Sequence, residues 1–153
     1  MNTLLFLVVL LLVVSRAIVA TENSVYDRKK VVESLSREEL LEILKVNGYA
    51  TELIPEKDHL VRIVISGMRG TIILSKTSLQ FFAVAKVEAE DRLERVNKWN
   101  QQKRYSRSYI DKDKDPILEL DLDMTGGVTI ARVEDYLGTV TKSLLAWMME
   151  LSA

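Results

Sequence analysis

Apolar residues recur along this chain at two spacings, one typical of helices and one typical of strands. The clearest helical stretch is SREELLEILKVNG, which predicts a first helix that begins after Ser36 and ends before Gly48. Ser36, with Glu39 three residues later, has the pattern of a capping box, and glycine is common just past a helix end. The apolar face of this helix comprises Leu40, Leu41, Ile43 and Leu44.

Short apolar runs between Tyr49 and Lys86 have the length of strands and are separated by the polar connections PEKD, SGMRG and SKTS. The connections are too short for parallel crossovers, so we expect a largely antiparallel meander. The predicted strands lie near residues 49–54, 60–66, 70–75 and 79–86.

Two later stretches return to helical spacing. VEAEDRLERVNKWNQQ predicts a second helix that packs through one narrow stripe, made of Ala89, Leu93, Val96 and Trp99. After the turn TGG, a third helix carries an apolar stripe wide enough to cover the sheet and also a second subunit. This stripe comprises Val133, Tyr136, Leu137, Val140, Leu144, Trp147, Met148 and Leu151.

Residues 103–124 predict a β-hairpin around the turn DKDKDP. The far strand alternates apolar with acidic residues, which places the apolar set in the core and Glu119, Asp121 and Asp123 outside. The fold class is therefore α+β, an antiparallel sheet with three helices in the order α-β-β-β-β-α-β-β-α. It forms a single domain over residues 31–153.

The register of this hairpin decides which side chains of KRYSRSYI face the core. A shift by one residue from the expected pairing would bury the serines and expose both tyrosines, with a loss of apolar burial. We therefore expect Asp111 to pair with Pro116. This register sets Tyr109 opposite Leu118, Arg107 opposite Leu120 and Tyr105 opposite Leu122.

The first twenty residues predict export. Leu4 to Val14 form an unbroken apolar run, which is short for a membrane span and has the length of a signal-peptide core. Cleavage after Ala17 or Ala20 fits the small residues there, and an uncleaved anchor over residues 1–20 is the alternative. Residues 21–30 then read as a polar tether. Both alternatives place the domain in the periplasm or outside the cell.

The composition of the chain excludes several kinds of ligand and reaction. The net charge of −1 gives no reason to expect nucleic acid, and the absence of cysteine excludes disulfides and thiolate chemistry.

The three aspartates of DKDKDP begin like a calcium loop. However, Pro116 stands where such a loop needs glycine, and Leu122 stands where it needs glutamate.

Other candidates for chemistry are weak. His59, the single histidine, lies in a charged connection without a second histidine or a cysteine to pair with. GMRG at 67–70 joins two strands and opens no helix, so we interpret it as a tight turn and not a phosphate loop. We expect no catalytic residues, no metal and no cofactor.

Arg107 is the one candidate for recognition. In the expected register its guanidinium points to the apolar side between two tyrosines, where it needs a partner or a route to water. The guanidinium could reach water past the edge of a helix, or it could bind an anion or a peptide carboxylate in a groove. Such a groove would be lined by Trp99, Tyr105, Arg107 and Tyr109, although core packing is the alternative for Trp99.

The run VNKWNQQKRYSRSYIDKDKDPILELDLDMTGGV, residues 96–128, resembles the YbjN family of bacterial sensory transduction regulators. The resemblance extends to SLQFFAVA and SREELLEILKVNGY. It implies a fold similar to type III secretion chaperones, a hairpin turn at the aspartates, and a non-enzymatic regulatory or chaperone-like role. The predicted export departs from that picture because secretion chaperones act in the cytoplasm.

These observations predict an exported, non-enzymatic module that binds a polypeptide or a second subunit as a homodimer. The alternative is a periplasmic small-ligand or anion sensor that uses a groove at the 103–124 hairpin. Contact with the membrane is expected only through the N-terminal segment, if it is retained.

Overall fold

The structure, a computed structural model, describes residues 26–87 and 90–152. The predicted order of helices and strands is confirmed, with two short strands added. The helices are α1 (Arg37–Val46), α2 (Arg92–Gln102) and α3 (Ile130–Ser152). The strands are β1 (Val31–Val32), β2 (Ala50–Leu53), β3 (Leu60–Ile65), β4 (Met68–Leu74), β5 (Ser78–Val84), β6 (Arg107–Ile110), β7 (Pro116–Asp123) and β8 (Val128–Thr129).

Six of the strands form one antiparallel sheet in the order β2-β3-β4-β5-β7-β6. The meander runs from β2 to β5, and the chain then passes through α2. The hairpin that follows places β7 beside β5 and β6 at the edge. The short strands β1 and β8 pair with each other in a separate two-stranded sheet.

Burial alternates along the central strands, so the sheet has two different faces. The inner face packs against the helices and contributes Val61, Ile63, Ile72, Leu79, Phe81, Leu118 and Leu120 to the core. The outer face carries charged, polar and half-exposed apolar residues. The leucines of β7 lie inside and its acidic residues outside, as the alternation predicted.

The first helix has the predicted caps. The Ser36 hydroxyl accepts a hydrogen bond from the Glu39 backbone N–H at 3.1 Å, and the Glu39 carboxylate accepts from the Ser36 N–H at 2.9 Å. Beyond the C-cap Asn47, Gly48 adopts a φ of 77°, which is the left-handed conformation that ends helices.

Helices α2 and α3 differ in how well their stripes were predicted. In α2, Val96 and Trp99 are buried, but Leu93 in the first turn is exposed. Ala89 lies outside the described residues. The stripe of α3 is buried against the chain's own core except for Met148, which is half-buried. Leu145 and Met149 are the large apolar residues that α3 leaves exposed.

The segment SGMRG contains a shorter turn than expected. Ser66 and Gly67, with φ of 50° and 81°, form a two-residue turn, and β4 already begins at Met68. Gly70 lies inside β4, where the ring of Phe81 occupies the space that a side chain would fill.

Candidate functional site

The expected hairpin register is wrong by one residue. Arg107 pairs with Glu119, Ser108 with Leu118 and Tyr109 with Ile117. Ser108 is therefore buried at 3% exposure, while Tyr105 is 78% exposed. Apolar burial favoured the opposite arrangement, so another contribution must outweigh it.

Hydrogen bonds from two tryptophans account for the observed register. The indole N–H of Trp147 donates to the Ser108 hydroxyl at 2.9 Å, and that of Trp99 donates to the Ser106 hydroxyl at 3.1 Å. Ser108 in turn donates to the carbonyl of Ile117 at 2.7 Å. A buried indole N–H without an acceptor costs about 1–3 kcal/mol, and the observed register satisfies two such groups.

The open side of β6 is closed by Asn100 of α2. Its side-chain amide donates to the Ser108 carbonyl at 2.7 Å and accepts from the Ser108 N–H at 2.8 Å, as a neighbouring strand would. This contact protects the edge of the sheet at β6 from pairing with another chain.

The aspartate-rich segment is a hairpin turn, as predicted. One carboxylate oxygen of Asp111 accepts the backbone N–H groups of Asp113 and Asp115 at 2.9 and 2.8 Å, and Lys86 pairs with the Asp115 carboxylate. These oxygens organise the turn from within the chain. Across residues 26–87 and 90–152, no group of three His, Cys, Asp or Glu side chains is placed to hold a metal ion.

The four groove residues do not line one site. Trp99 is buried on the inner side and packs in the core, which was the alternative for this residue. Arg107 and Tyr109 lie on the outer face instead of the apolar side. The premise that Arg107 points between two tyrosines toward the core is therefore wrong, because the register shift reverses its orientation.

Arg107 already has an anionic partner. Its Nε donates to a Glu119 carboxylate oxygen at 2.6 Å, and the Tyr109 hydroxyl donates to the other oxygen at 2.8 Å. The hydrogen bond to Glu119, followed by the charge of Glu119, raises the pKa of Arg107. The hydrogen bond to Glu119 and then burial raise the pKa of the Tyr109 phenol, so Tyr109 remains a donor at neutral pH.

Tyr105 is the feature that marks a cleft. It has a φ of 64°, which is uncommon for a bulky residue, and its ring projects into solvent. On one side lies a cavity of about 450 Å³ between the hairpin and α3, lined by Tyr105, Leu120, Asp121, Arg132, Asp135, Tyr136 and Thr139. On the other side a smaller cavity of about 200 Å³ reaches Arg107 and Glu119.

The floor of this cleft is an open strand edge. β6 pairs only with residues 116–119 of β7, whereas β5 pairs with β7 as far as Asp123. Among the described residues, no second strand therefore pairs with β7 past Glu119. The Tyr136 hydroxyl donates to the Leu120 carbonyl at 3.0 Å. No pattern in the sequence indicated this cleft, because Tyr105 and the α3 residues meet only in the folded chain.

The remaining sequence candidates stay apart. His59 is exposed in the connection between β2 and β3. Glu119, Asp121 and Asp123 follow one another along the outer side of β7, and Glu119 is occupied by Arg107 and Tyr109. None of the helices described here is both long and apolar enough to cross a bilayer.

The order of elements and the six-stranded antiparallel sheet covered by helices on one face define an α+β fold. The sequence matches the YbjN family, described as "Putative bacterial sensory transduction regulator", over residues 36–151. This match spans well over half of the chain, and the chain therefore belongs to the YbjN family.

One solved structure extends the comparison to three dimensions. The crystal structure of YbjN from E. coli, described as "a putative transcription regulator", is similar with a TM-score of 0.66 and 15% sequence identity. The likeness covers 81% of this chain and 94% of that chain, and it shows a shared fold. No curated protein matches the sequence.

Proposed function

We propose that this protein is an exported, non-enzymatic regulatory module that binds a polypeptide in the cleft beside Tyr105. The family description supports a regulatory role. The scattered positions of the histidine and the carboxylates support binding in preference to catalysis, because general acid–base chemistry needs groups that converge on one point. The apolar run at the N-terminus supports export.

The open edge of β7 next to Tyr105 carries the proposal. Alternate backbone groups of an antiparallel strand point to each side, so Asp121 and Asp123 present donors and acceptors that β6 does not use. An extended peptide can add there as a strand that continues the line of β6. An exposed aromatic ring at the rim, held by a strained backbone, is typical of an interface anchor.

The charges around the cleft favour a basic side chain in the partner. Arg132 pairs with Asp135 at 2.6 Å, and Arg107 pairs with Glu119. In the part of the chain that the structure describes, Asp121 has no ion pair. A lysine or arginine of the peptide could contact Asp121 and lie over the Tyr105 ring.

The geometry favours this function over an anion sensor. An incoming anion would have to displace Glu119 from Arg107, and it would meet the negative charge of Asp121 in the same cleft. A peptide with a basic residue meets neither obstacle.

Photo-cross-linking tests the proposal in the full-length protein. A photoreactive phenylalanine analogue at position 105 should form an adduct with one discrete polypeptide in cells, and Asp121→Asn should weaken this adduct several-fold. The same analogue at Lys45, which is exposed on α1 beside β2 at the opposite end of the sheet, is the matched control. Adducts at position 105 that equal those at position 45 would contradict the proposal.

A further inference from the structure

The outer face of the sheet carries a regular order of charges across the strands. At one level the register aligns Glu52, Arg62, Thr71, Phe82, Glu119 and Arg107 from β2 to β6. The signs along this row are negative, positive, neutral, neutral, negative and positive. When the row is read from β6 to β2 instead, each charged position carries the opposite sign.

This order makes the face complementary to itself in one orientation. A two-fold axis parallel to the strands, placed between Thr71 and Phe82, would bring Glu52 opposite Arg107 of a second copy and Arg62 opposite its Glu119. A two-fold axis across the strands would instead place each of these charges opposite its own equivalent. Charge therefore selects a single symmetric arrangement.

The charges are already held in place within one chain. Arg62 contacts Glu52 at 3.3 Å, and Arg107 contacts Glu119 at 2.5 Å. Both ion pairs have the same direction across the sheet, so the two pairs of a second, reversed copy would lie antiparallel to them. Antiparallel ion pairs attract, and preformed side chains lose little conformational freedom when they meet.

Two apolar side chains of β5 lie near the centre of the face, beside a shallow cavity. Phe82 is half-buried, and Val84 beside it is 42% exposed. Next to Phe82 lies a shallow cavity of about 310 Å³ that includes Thr71, Arg62 and Arg69. In the selected arrangement Phe82 of the second copy stands over Thr71, at this cavity. An apolar centre with a charged rim is the usual anatomy of a protein interface.

We propose that two copies of this chain associate through the outer faces of their sheets, with the two-fold axis parallel to the strands. Six strands spaced about 4.8 Å apart give a face about 24 Å wide and, at six residues per strand, about 20 Å long. Two such faces bury roughly 1,000 Å² in total, which is at the lower end of specific interfaces. The dimer should therefore dissociate on dilution. Because Arg107 and Glu119 also line the smaller cavity beside Tyr105, the dimer covers that side of the cleft.

Cysteine cross-linking tests this arrangement, because the chain has no cysteine of its own. Thr71→Cys lies beside the axis, so a short bismaleimide should link two full-length copies in cells that produce this variant. Lys142→Cys on α3 is the matched control and should give only background linking. Thr71→Cys at the level of this control would overturn the proposal.

Charge reversal distinguishes this interface from any other. In the Thr71→Cys chain, Glu52→Arg or Arg107→Glu should each reduce linking at least tenfold, because like charges then face each other. Co-producing the two reversed chains should restore linking between them, since each position 52 then faces a position 107 of opposite charge in the other chain. Linking that survives either reversal, or that co-production fails to restore, would contradict the arrangement.

A third substitution does not depend on the ion pairs. Val84→Lys places a charge in the apolar centre at an exposed position of β5, where the fold itself tolerates lysine. It should abolish linking while the thermal unfolding temperature stays within a few degrees of the parent chain. Unchanged linking in this variant would also count against the outer face.

Discussion

The indole of Trp147 on α3 donates its N–H to the buried hydroxyl of Ser108 on β6, 2.9 Å away. The Ser108 hydroxyl in turn donates to the carbonyl of Ile117 at 2.7 Å. A one-residue slip of the hairpin would place an arginine or a tyrosine where this hydroxyl lies. The polar contact thus fixes which face of β6 meets the core, and it orients Arg107 and Tyr109 outward.

Removing the Ser108 hydroxyl should destabilise the fold more than its size suggests. Ser108→Ala leaves the Trp147 N–H and the Ile117 carbonyl buried without this partner, at a cost of about 1–3 kcal/mol in the free energy of unfolding. Urea denaturation followed by tryptophan fluorescence measures it. Ser152→Ala, which removes an exposed hydroxyl bonded to Met148, is the control and should change stability by less than about 0.5 kcal/mol. Equal effects for the two variants would refute the role of Ser108.

Local signals in the sequence were sufficient for most of the fold. The Ser36 and Glu39 cap, the alternation along β7 and the stripe of α3 each depend on neighbours close in the chain, and each is confirmed. The hairpin register depends instead on Trp147, which lies 39 residues from Ser108. Serines and tyrosines alternate equally well along β6, so periodicity alone could not select between them.

The candidate site was beyond sequence reasoning for a similar reason. Tyr105 lies beside Arg132 and Thr139 only because α3 crosses the end of β7, and no spacing along the chain encodes that contact. The open edge past Glu119 arises because β6 is four residues long and β7 is eight. A difference in strand length becomes visible only when the register is known.

Two glycines should respond to alanine in opposite directions. A Cβ at Gly70 would overlap the Phe81 ring, which is fully buried, so Gly70→Ala should cost about 1–3 kcal/mol in the free energy of unfolding. A Cβ at Gly138, inside α3, meets nothing within 4 Å, so Gly138→Ala should stabilise by about 0.5–1 kcal/mol. Thermal and urea denaturation of both variants check this. A stabilising Gly70→Ala would mean that Phe81 does not pack over β4 as described.

Glu134 should control how firmly the segment before β1 is held. Its carboxylate accepts hydrogen bonds from the Tyr26 hydroxyl at 2.7 Å and from Arg28 Nε at 2.6 Å. The carbonyls of Arg28 and Lys30 also accept the N–H groups of Ala131 and Ile130 at the start of α3. These contacts tie the end of the predicted tether to the domain, so Glu134→Ala should accelerate trypsin cleavage at Arg28 and Lys29 several-fold.

Cleavage rates followed by mass spectrometry measure this effect. Asp135→Ala removes the neighbouring carboxylate, whose partner is Arg132, and serves as the control. If both variants are cleaved at the rate of the parent chain, the contacts of Glu134 do not restrain the segment.

The contribution of Glu134 should be lost in acid. Burial alone would raise the pKa of Glu134, but hydrogen bonds from Tyr26, Arg28 and Asn47 outweigh it and hold the pKa below its ordinary value of 4.5. A lowered pKa in the folded state means that the stabilisation is complete above about pH 4.5 and disappears as the pH falls through the folded-state pKa. The stability difference between the parent chain and Glu134→Gln should therefore shrink between pH 5 and pH 3. A difference that stays constant over this range would contradict the ionised state of Glu134 as its source.

Export of the protein can be measured directly. The run from Leu4 to Val14 is too short to span a bilayer comfortably and has the length of a signal-peptide core. The protein recovered from the periplasm should begin at Thr21 or Ile18, depending on whether cleavage follows Ala20 or Ala17. Val9→Asp should block export, because a charge in the middle of the run opposes insertion. A matched change in the following polar stretch, Asn23→Asp, should not. Intact protein that begins at Met1 and stays in the soluble cytoplasmic fraction would remove export from the proposed function and leave the cleft and the outer face to act inside the cell.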